Sequence, residues 1–473
     1  MQFKHAPAAV SSSFDDPNLV SAAGLVPIMK LAEKAGLRGL TDKWLSVPTD
    51  KGANAGLKVA SLVAGMVAGA DSIDDMALLR HGGMRKLFRN CYAPSTLGSF
   101  LRSFTFGHVR QLDAVASRFL AKLSALTPLL GSESDTDTDT DTDTGYAFLN
   151  IDDTVIEVHG HQKQGAGFGY SGVRGINALL ATVTAKDAAP AVVAQRLRRG
   201  SCGSPRGAAR LIRDALATIR RLHGMTDARV LVRADSAFYG HATVAAAITA
   251  GAAVSVTTRM DPAIKRAIAT IPDDAWETIE YTDAIYDEDT RRWISVAQVA
   301  EVPFTAFTSR KKTEHIAGRL VARRIPELNK KDLDQPTLFD THRFHAFFTT
   351  SDLDTVTADK THRGHAIIEQ VNADLKNSAL AHLPSGVFTA NAAWLVLAVI
   401  AFNLTRAAAT VAGEGLTKAT TATIRRKLVS VPARIASSAR RIRLHLPDQW
   451  PWEPAWTALF NHFSGSPPPV AAT

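Results

Sequence analysis

AFLNIDDT, residues 147–154, runs an apolar strand directly into paired carboxylates and a threonine. The pattern continues on either side of that junction. TVIEVHG (154–160) alternates in polarity, and GINALLATVTA (175–185) reads as a further strand after a glycine-rich turn. SPRGAARLIRDALATIRRLHG (204–224) has helical spacing, and ARVLVRADSAF (228–238) is a strand that ends at Asp235. AAAITAGAAVSVTT (245–258) reads as a helix and then a strand. Strand–helix–strand alternation predicts an α/β domain with a sheet that is at least partly parallel.

Working outward, residues 1–130 are helical in pattern. Apolar positions in 25–37, 57–83 and 109–130 recur at three and four, with Gly82-Gly83 as a stop. This predicts a helical N-terminal domain, suited to binding DNA ends or to packing and dimerisation. Residues 131–145 then carry an Asp-Thr repeat with no apolar face and dense like charge, which predicts a disordered, solvated linker. The repeat lacks the glycine turn and the closing Glu of a calcium loop. Residues 258–345 are polar, studded with aromatics and strand-like, best seen in 276–281, 291–302, 319–325 and 342–350. They read as a β-rich insertion between core segments 146–257 and 346–410. Residues 390–412 are apolar nearly all round, the mark of a buried core helix. A basic region over 411–473 closes the chain.

Composition bounds the answer. Hydrophobic residues make up 46%, enough for packed cores, so wholesale disorder is excluded. Two cysteines cannot build a disulfide framework or a cysteine zinc module, and Cys202 reads as a free thiol. The first twenty residues lack the apolar core of a signal peptide. The apolar runs at 59–70 and 392–402 fall short of the roughly 20 residues that span a bilayer. The expectation is a cytoplasmic, nucleoid-associated protein with no membrane partner. Lys and Arg number 54 against 45 Asp and Glu, a surplus of +9 that favours a polyanion only weakly. Its distribution says more. Residues 196–221 hold eight Arg against Asp214, and 405–445 hold nine Lys or Arg against Glu414. Arg196, Arg198 and Arg199 are therefore candidate phosphate contacts.

Three acids stand out by position. Asp152 and Asp235 end strands, where α/β domains gather functional side chains, and Glu369 lies in an amphipathic helix. Converging carboxylates repel unless cations lie between them, and hard divalent ions suit oxygen ligands. Asp153 and Asp227 compete for the same role, and periodicity does not choose between them.

IDDT after an apolar strand, VRADSAFYG (232–240), THRGHAIIEQVNADLK (361–376) and the apolar block 380–404 together resemble the DDE transposases of bacterial insertion sequences. The match is best with the insertion-sequence family numbered 1380. It extends to GYSGVRGINALLA (169–181), FHAFFTT (344–350) and the basic stretch 431–447. The resemblance implies a ribonuclease-H-like catalytic core interrupted by a β-strand insertion. It also implies an Asp–Asp–Glu triad that falls on Asp152, Asp235 and Glu369 and holds two Mg²⁺, with Mn²⁺ able to substitute. The 134 residues from Asp235 to Glu369 leave room for the insertion. Related transposases carry a Tyr seven residues and an Arg four residues before the Glu, and a Lys seven after it. Lys376 matches the last, whereas His362 and His365 stand at the first two and Arg363 lies between them. These four are the implied DNA contacts. Glu369 and Lys376 are two helical turns apart and share a face.

The implied activity is metal-dependent cleavage and strand transfer of double-stranded DNA at the terminal inverted repeats of a mobile element, by a homodimer holding element ends and target. Trp293 could stack on an unpaired base near the cleavage point. Two rivals come from other classes. One is a catalytically silent DNA-binding relic. The other is a zinc hydrolase built on His159-x-His161 and His342-x-x-His345.

Overall fold

The apolar spacing of the N-terminal third becomes a bundle: α1 (Leu25–Lys34), α2 (Leu37–Trp44), α3 (Ala55–Ala68), α4 (Met84–Leu87), α5 (Pro94–Arg102) and α6 (Phe106–Leu126). Thr105 and His108 close a reciprocal capping box at the start of α6, satisfying backbone donors that the helix itself cannot. The short strand β1 (Leu19–Val20) precedes the bundle. This computed structural model describes residues 9–464 except 49, 132–143, 161, 186–187, 288–291, 327–341, 414 and 439–440. The Asp-Thr tract, expected as a disordered linker, lies outside the described residues apart from its ends.

Past the tract come β2 (Tyr146–Glu157), β3 (Gly167–Phe168), β4 (Arg174–Thr184), β5 (Ala191–Arg198), α7 (Ala208–Ile219), β6 (Arg229–Ala234), α8 (His241–Thr249) and β7 (Ala253–Thr257). After α9 (Pro262–Ala269) follow β8 (Glu277–Asp287), β9 (Arg292–Ala306), β10 (Ile316–Pro326) and β11 (His342–Thr349). Among the described residues these strands form one ten-stranded mixed sheet in the order β3-β4-β2-β6-β7-β11-β10-β9-β8, with β5 also on β4. The pairs β2–β6 and β6–β7 are parallel, and the remaining pairs are antiparallel.

The region 258–345, expected to be rich in strands, holds β8 to β10 and the first half of β11. These strands continue the same sheet, because Phe347, Phe348 and Thr349 of β11 pair with Thr257, Val256 and Ser255 of β7. That region also opens with a helix: Asp261 caps α9, and Ile264 and Ile268 bury against Trp276 and Leu320. Residues 191–198 form a strand that sequence spacing had not shown, so Arg196 and Arg198 sit on β5 while Arg210 and Arg213 lie on the expected helix. A short run of mixed valine, alanine and arginine beside a helical pattern hides its own period of two.

Helices α10 (Thr355–Arg363), α11 (Ile367–Lys376) and α12 (Phe388–Ala412) follow. By length and composition α12 could cross a membrane, yet 89% of its most apolar stretch is buried inside the protein. It packs against α1, α3, α5, α6 and β5. One continuous apolar cluster thereby joins the N-terminal helices to the sheet. The chain ends with α13 (Thr421–Ile424), β12 (Ala433–Ser438), β13 (Arg441–His445) and α14 (Glu453–Ser464). Leu19 and Val20 of β1 pair with Arg434 and Ala433 of β12, and α14 lies against α1 and α12, so the C-terminal segment is clamped onto the N-terminal helices.

Candidate active site

Parallel register brings two aspartates together. Ile151 of β2 stands opposite Ala234 of β6, so Asp152 and Asp235 follow side by side. Asp235 lies just past the end of β6, but Asp152, expected at a strand end, sits inside β2, which runs on to Glu157 paired with β4. Asp235 then caps a short 3-10 turn by accepting the Ala237 amide at 3.0 Å, which turns the chain away and leaves its carboxylate open to solvent. Glu369 arrives from α11, which packs over β2. Three residues further along that helix, Asn372 Nδ2 donates to Asp152 Oδ2 at 2.8 Å. Burial first, and then the charges of Asp153, Asp235 and Glu369, push the Asp152 carboxyl up to about 7. Lost hydration and the charge of Asp153 also raise Asp235. Three acids distant in sequence share one electrostatic field.

Asp153 points the other way, as alternation along a strand requires. Its Oδ2 accepts from Arg198 Nη2 at 2.8 Å and from Asn177 Nδ2. The Asp153 and Arg198 side chains are only 3% and 6% exposed. Arg198 also donates to Asn177 Oδ1 and to the Ser204 and Arg206 carbonyls. Asp153 is thus a neutralised buried partner and Asp152 the half-buried one beside Asn372, a choice that periodicity left unmade and the resemblance put on Asp152. Arg198, expected on DNA, is spent inside the protein. Arg196 is likewise paired, with Asp214 at 3.0 Å and Asp113 at 3.3 Å. Only Arg199 of that trio is exposed, beside Arg206, Arg210, Arg213, Arg220 and Arg221.

The histidines upstream of Glu369 are half-buried and engaged within the protein. His362 stacks on Phe347 with centroids 4.1 Å apart, and its two ring nitrogens meet Ser255 Oγ and Thr257 Oγ1 at 2.8 and 2.9 Å. Burial, with the positive charges of Arg233 and Arg323 nearby, drives its pKa down to about 3. His365, 3.4 Å from Asn150 Oδ1, falls to about 4 for the same reasons. Both are neutral rings, so neither serves as the phosphate-gripping cation expected of it. Arg363 pairs with Asp359 at 2.9 Å. Lys376 is exposed at the end of α11.

Sequence reasoning missed Arg233. It is 3% exposed, donates to Asn150 Oδ1 at 2.8 Å and to the Thr361 carbonyl, and lies 4.3 Å over the Phe148 ring. A Cβ at Gly364 would lie 2.7 Å from its Nη1, so the turn before α11 packs closely on Arg233. Asn372 and Asn177 were missed too. Their only sequence signal was strand or helix spacing from a candidate acid.

The carboxylate oxygens of Asp152, Asp235 and Glu369 suit a hard divalent cation. Among the described residues, however, no three His, Cys, Asp or Glu side chains are gathered closely enough to enclose an ion as they stand. Of the zinc rival's residues, His159 is exposed beside Glu157, His342 and His345 lie on β11, and His161 is outside the described residues. Trp293 stands opposite Tyr286 on β9, with its side chain outside the described residues. The sequence model of the family described as Transposase DDE domain group 1 matches residues 4–467. No curated protein matches the chain.

Proposed function

The chain belongs to the DDE transposase family, and from that premise we propose that it cuts and joins double-stranded DNA at the terminal inverted repeats of an insertion sequence of the family numbered 1380. The observation that carries the reading is the register that sets Asp152 beside Asp235, with Asn372 of the Glu369 helix bonded to Asp152 at 2.8 Å. The strand order β5-β4-β2-β6-β7, with its parallel β2–β6–β7 half, supports a ribonuclease-H-like core.

Asp152, Asp235 and Glu369 would hold two Mg²⁺. Such ions, when bound, activate a water or 3′-hydroxyl and stabilise the leaving oxygen of a phosphodiester. The chain's own residues supply the rest. Asn372 fixes the Asp152 carboxylate against α11. Lys376, two turns beyond Glu369, offers a cation to a phosphate. The exposed arginines of 199–221 give affinity without sequence information. Joining two ends requires at least a homodimer on DNA.

The test is Mg²⁺-dependent nicking of a duplex carrying an element end. The wild-type chain nicks it; Asp152→Ala and Glu369→Ala bind it without nicking. Normal cleavage by either variant would remove the triad assignment. Wild-type binding with no nicking in Mg²⁺ would identify a silent relic.

A further inference from the structure

Strands β12 and β13 form a ribbon whose two faces differ. Arg434 stands opposite His445, Ala436 opposite Arg443 and Ser438 opposite Arg441. Side chains alternate along a strand, so these six share one face. The other face carries Ala433 and Ile435, both buried, with Leu444 opposite Ile435. Ile435 packs against Gly83 just before α4, where an added Cβ would come within 3.0 Å of its Cδ1. The apolar face is thus fixed on the N-terminal helices, and the basic face looks outward.

The far half of the ribbon stands clear of the body. Ser437, Ser438 and Arg441 are exposed, and Ile442 is 51% exposed although it lies on the apolar side. Residues 433–445 contain no Asp or Glu. Among the described residues, Asp16 pairs with Arg434 at 3.1 Å, and no acid pairs with Arg441 or Arg443. At the foot of the ribbon Lys86 donates to Asn18 Oδ1 at 2.5 Å, and the Asn18 carbonyl accepts the Ile435 amide. Ala436 and Ser438 lie across from the two arginines, so nothing bulky limits approach to that face.

This shape and charge fit double-stranded DNA. The major groove, about 12 Å wide, admits a two-stranded ribbon, whereas an undeformed minor groove of about 6 Å is too narrow. Arg441 and Arg443 are two apart on one strand, about 6.6–6.8 Å, which is about two base steps of 3.4 Å. Arginine is also the side chain that pairs two donors with guanine N7 and O6. We propose that the β12–β13 ribbon lies in the major groove of the element end and reads its sequence. Arg441 and Arg443 face base edges two steps apart, and Arg434 and Lys86 lie nearer the phosphates. The inference rests on the transposase reading above and gives it a reading element, with the N-terminal helices as support.

In the experiment the full-length chain selects duplexes from a random-sequence pool without divalent metal. Guanines of the selected motif are then methylated at N7, which lies in the major groove. Wild type should prefer one motif over unrelated duplex about a thousandfold or more, and lose binding when a guanine within it is methylated. Arg441→Ala and Arg443→Ala should each relax the preference at one position about tenfold, with melting temperature unchanged because both side chains are exposed. Arg441→Lys and Arg443→Lys keep the charge but not the paired donors, so they bind unrelated duplex like wild type and relax the same positions. An undiminished preference in the alanine variants overturns the reading ribbon and leaves the transposase reading standing. A loss spread evenly over all sequences makes the ribbon a phosphate contact and overturns it equally. Failure of the wild-type chain to bind any duplex overturns both.

Discussion

Asn372 donates to Asp152 across 2.8 Å, tying the helix that carries Glu369 to the strand that carries Asp152. Glu369 and Asn372 are three apart, so they lie on one helical face. The amide is interior, and its Oδ1 is buried without a hydrogen-bond partner. Hydrogen bonds to charged groups contribute about 1.5–3 kcal/mol. Asn372→Ala should slow cleavage about tenfold or more, with duplex binding unchanged. Asn372→Asp should slow it further by adding a carboxylate to the cluster. Single-turnover nicking rates set against binding curves check both.

Asp152 and Asp153 are neighbours with opposite fates. Asp153→Ala leaves Arg198 buried without its counter-ion, at a cost of about 3–5 kcal/mol, and should show as a large drop in melting temperature. Asp152→Asn removes a repelling charge and keeps an acceptor. It should melt no lower than wild type while abolishing nicking. Thermal melts run beside the cleavage assay separate the two roles.

Titration gives opposing slopes. The Asp152 carboxyl is raised to about 7 in the folded chain, so the folded state holds its proton more tightly than the unfolded one. Its contribution to stability is present below the ordinary carboxylate range and is lost as pH rises through about 7. Metal-free protein should lose stability over that window, and Asp152→Asn should flatten the loss. Denaturant midpoints against pH provide the measurement.

His362 works in the reverse direction. Its folded pKa near 3 lies below its ordinary value of 6.5, so its contribution is present above about 6.5 and is lost as pH falls. His362→Gln should remove part of the acid-side loss and leave the salt dependence of DNA binding unchanged. Ring-proton shifts of His362 that titrate between about pH 5 and 8 would contradict its half-buried, hydrogen-bonded position.

The arginines divide by burial. Arg199→Ala, Arg210→Ala and Arg213→Ala should each lower the salt slope of DNA binding by about one and leave the melting temperature alone. Arg196→Ala should weaken the fold through Asp113, which burial already holds near a pKa of 6 even with Arg196 and Arg110 beside it. Salt titrations and melts on the same variants test the division.

Much of the fold was written locally. The apolar run into IDDT, VLVRA before Asp235 and the all-round apolarity of 390–412 each announce their element because burial imposes a period on side chains, although the strand through IDDT runs on to Glu157. The motif resemblance supplied the candidate triad, and Glu369 and Lys376 share a face by helical arithmetic alone. What stayed hidden depends on pairing. Whether Asp152 or Asp153 faces the site follows from which side of β2 meets α11 and which meets Arg198. Whether an arginine touches solvent follows from the acids that other segments bring to it, as Asp113 of α6 and Asp214 of α7 do for Arg196 on β5. His362 and His365 read as a charged helical face, yet β7 and β11 close over the first, and burial beside Arg233 removes the charge of both. Local sequence determined periodicity and residue chemistry. Charge state, exposure and partner were decided only by tertiary structure, because desolvation and pairing are set by other segments, from 18 residues away for Arg196 and Asp214 to 220 for Asn372 and Asp152.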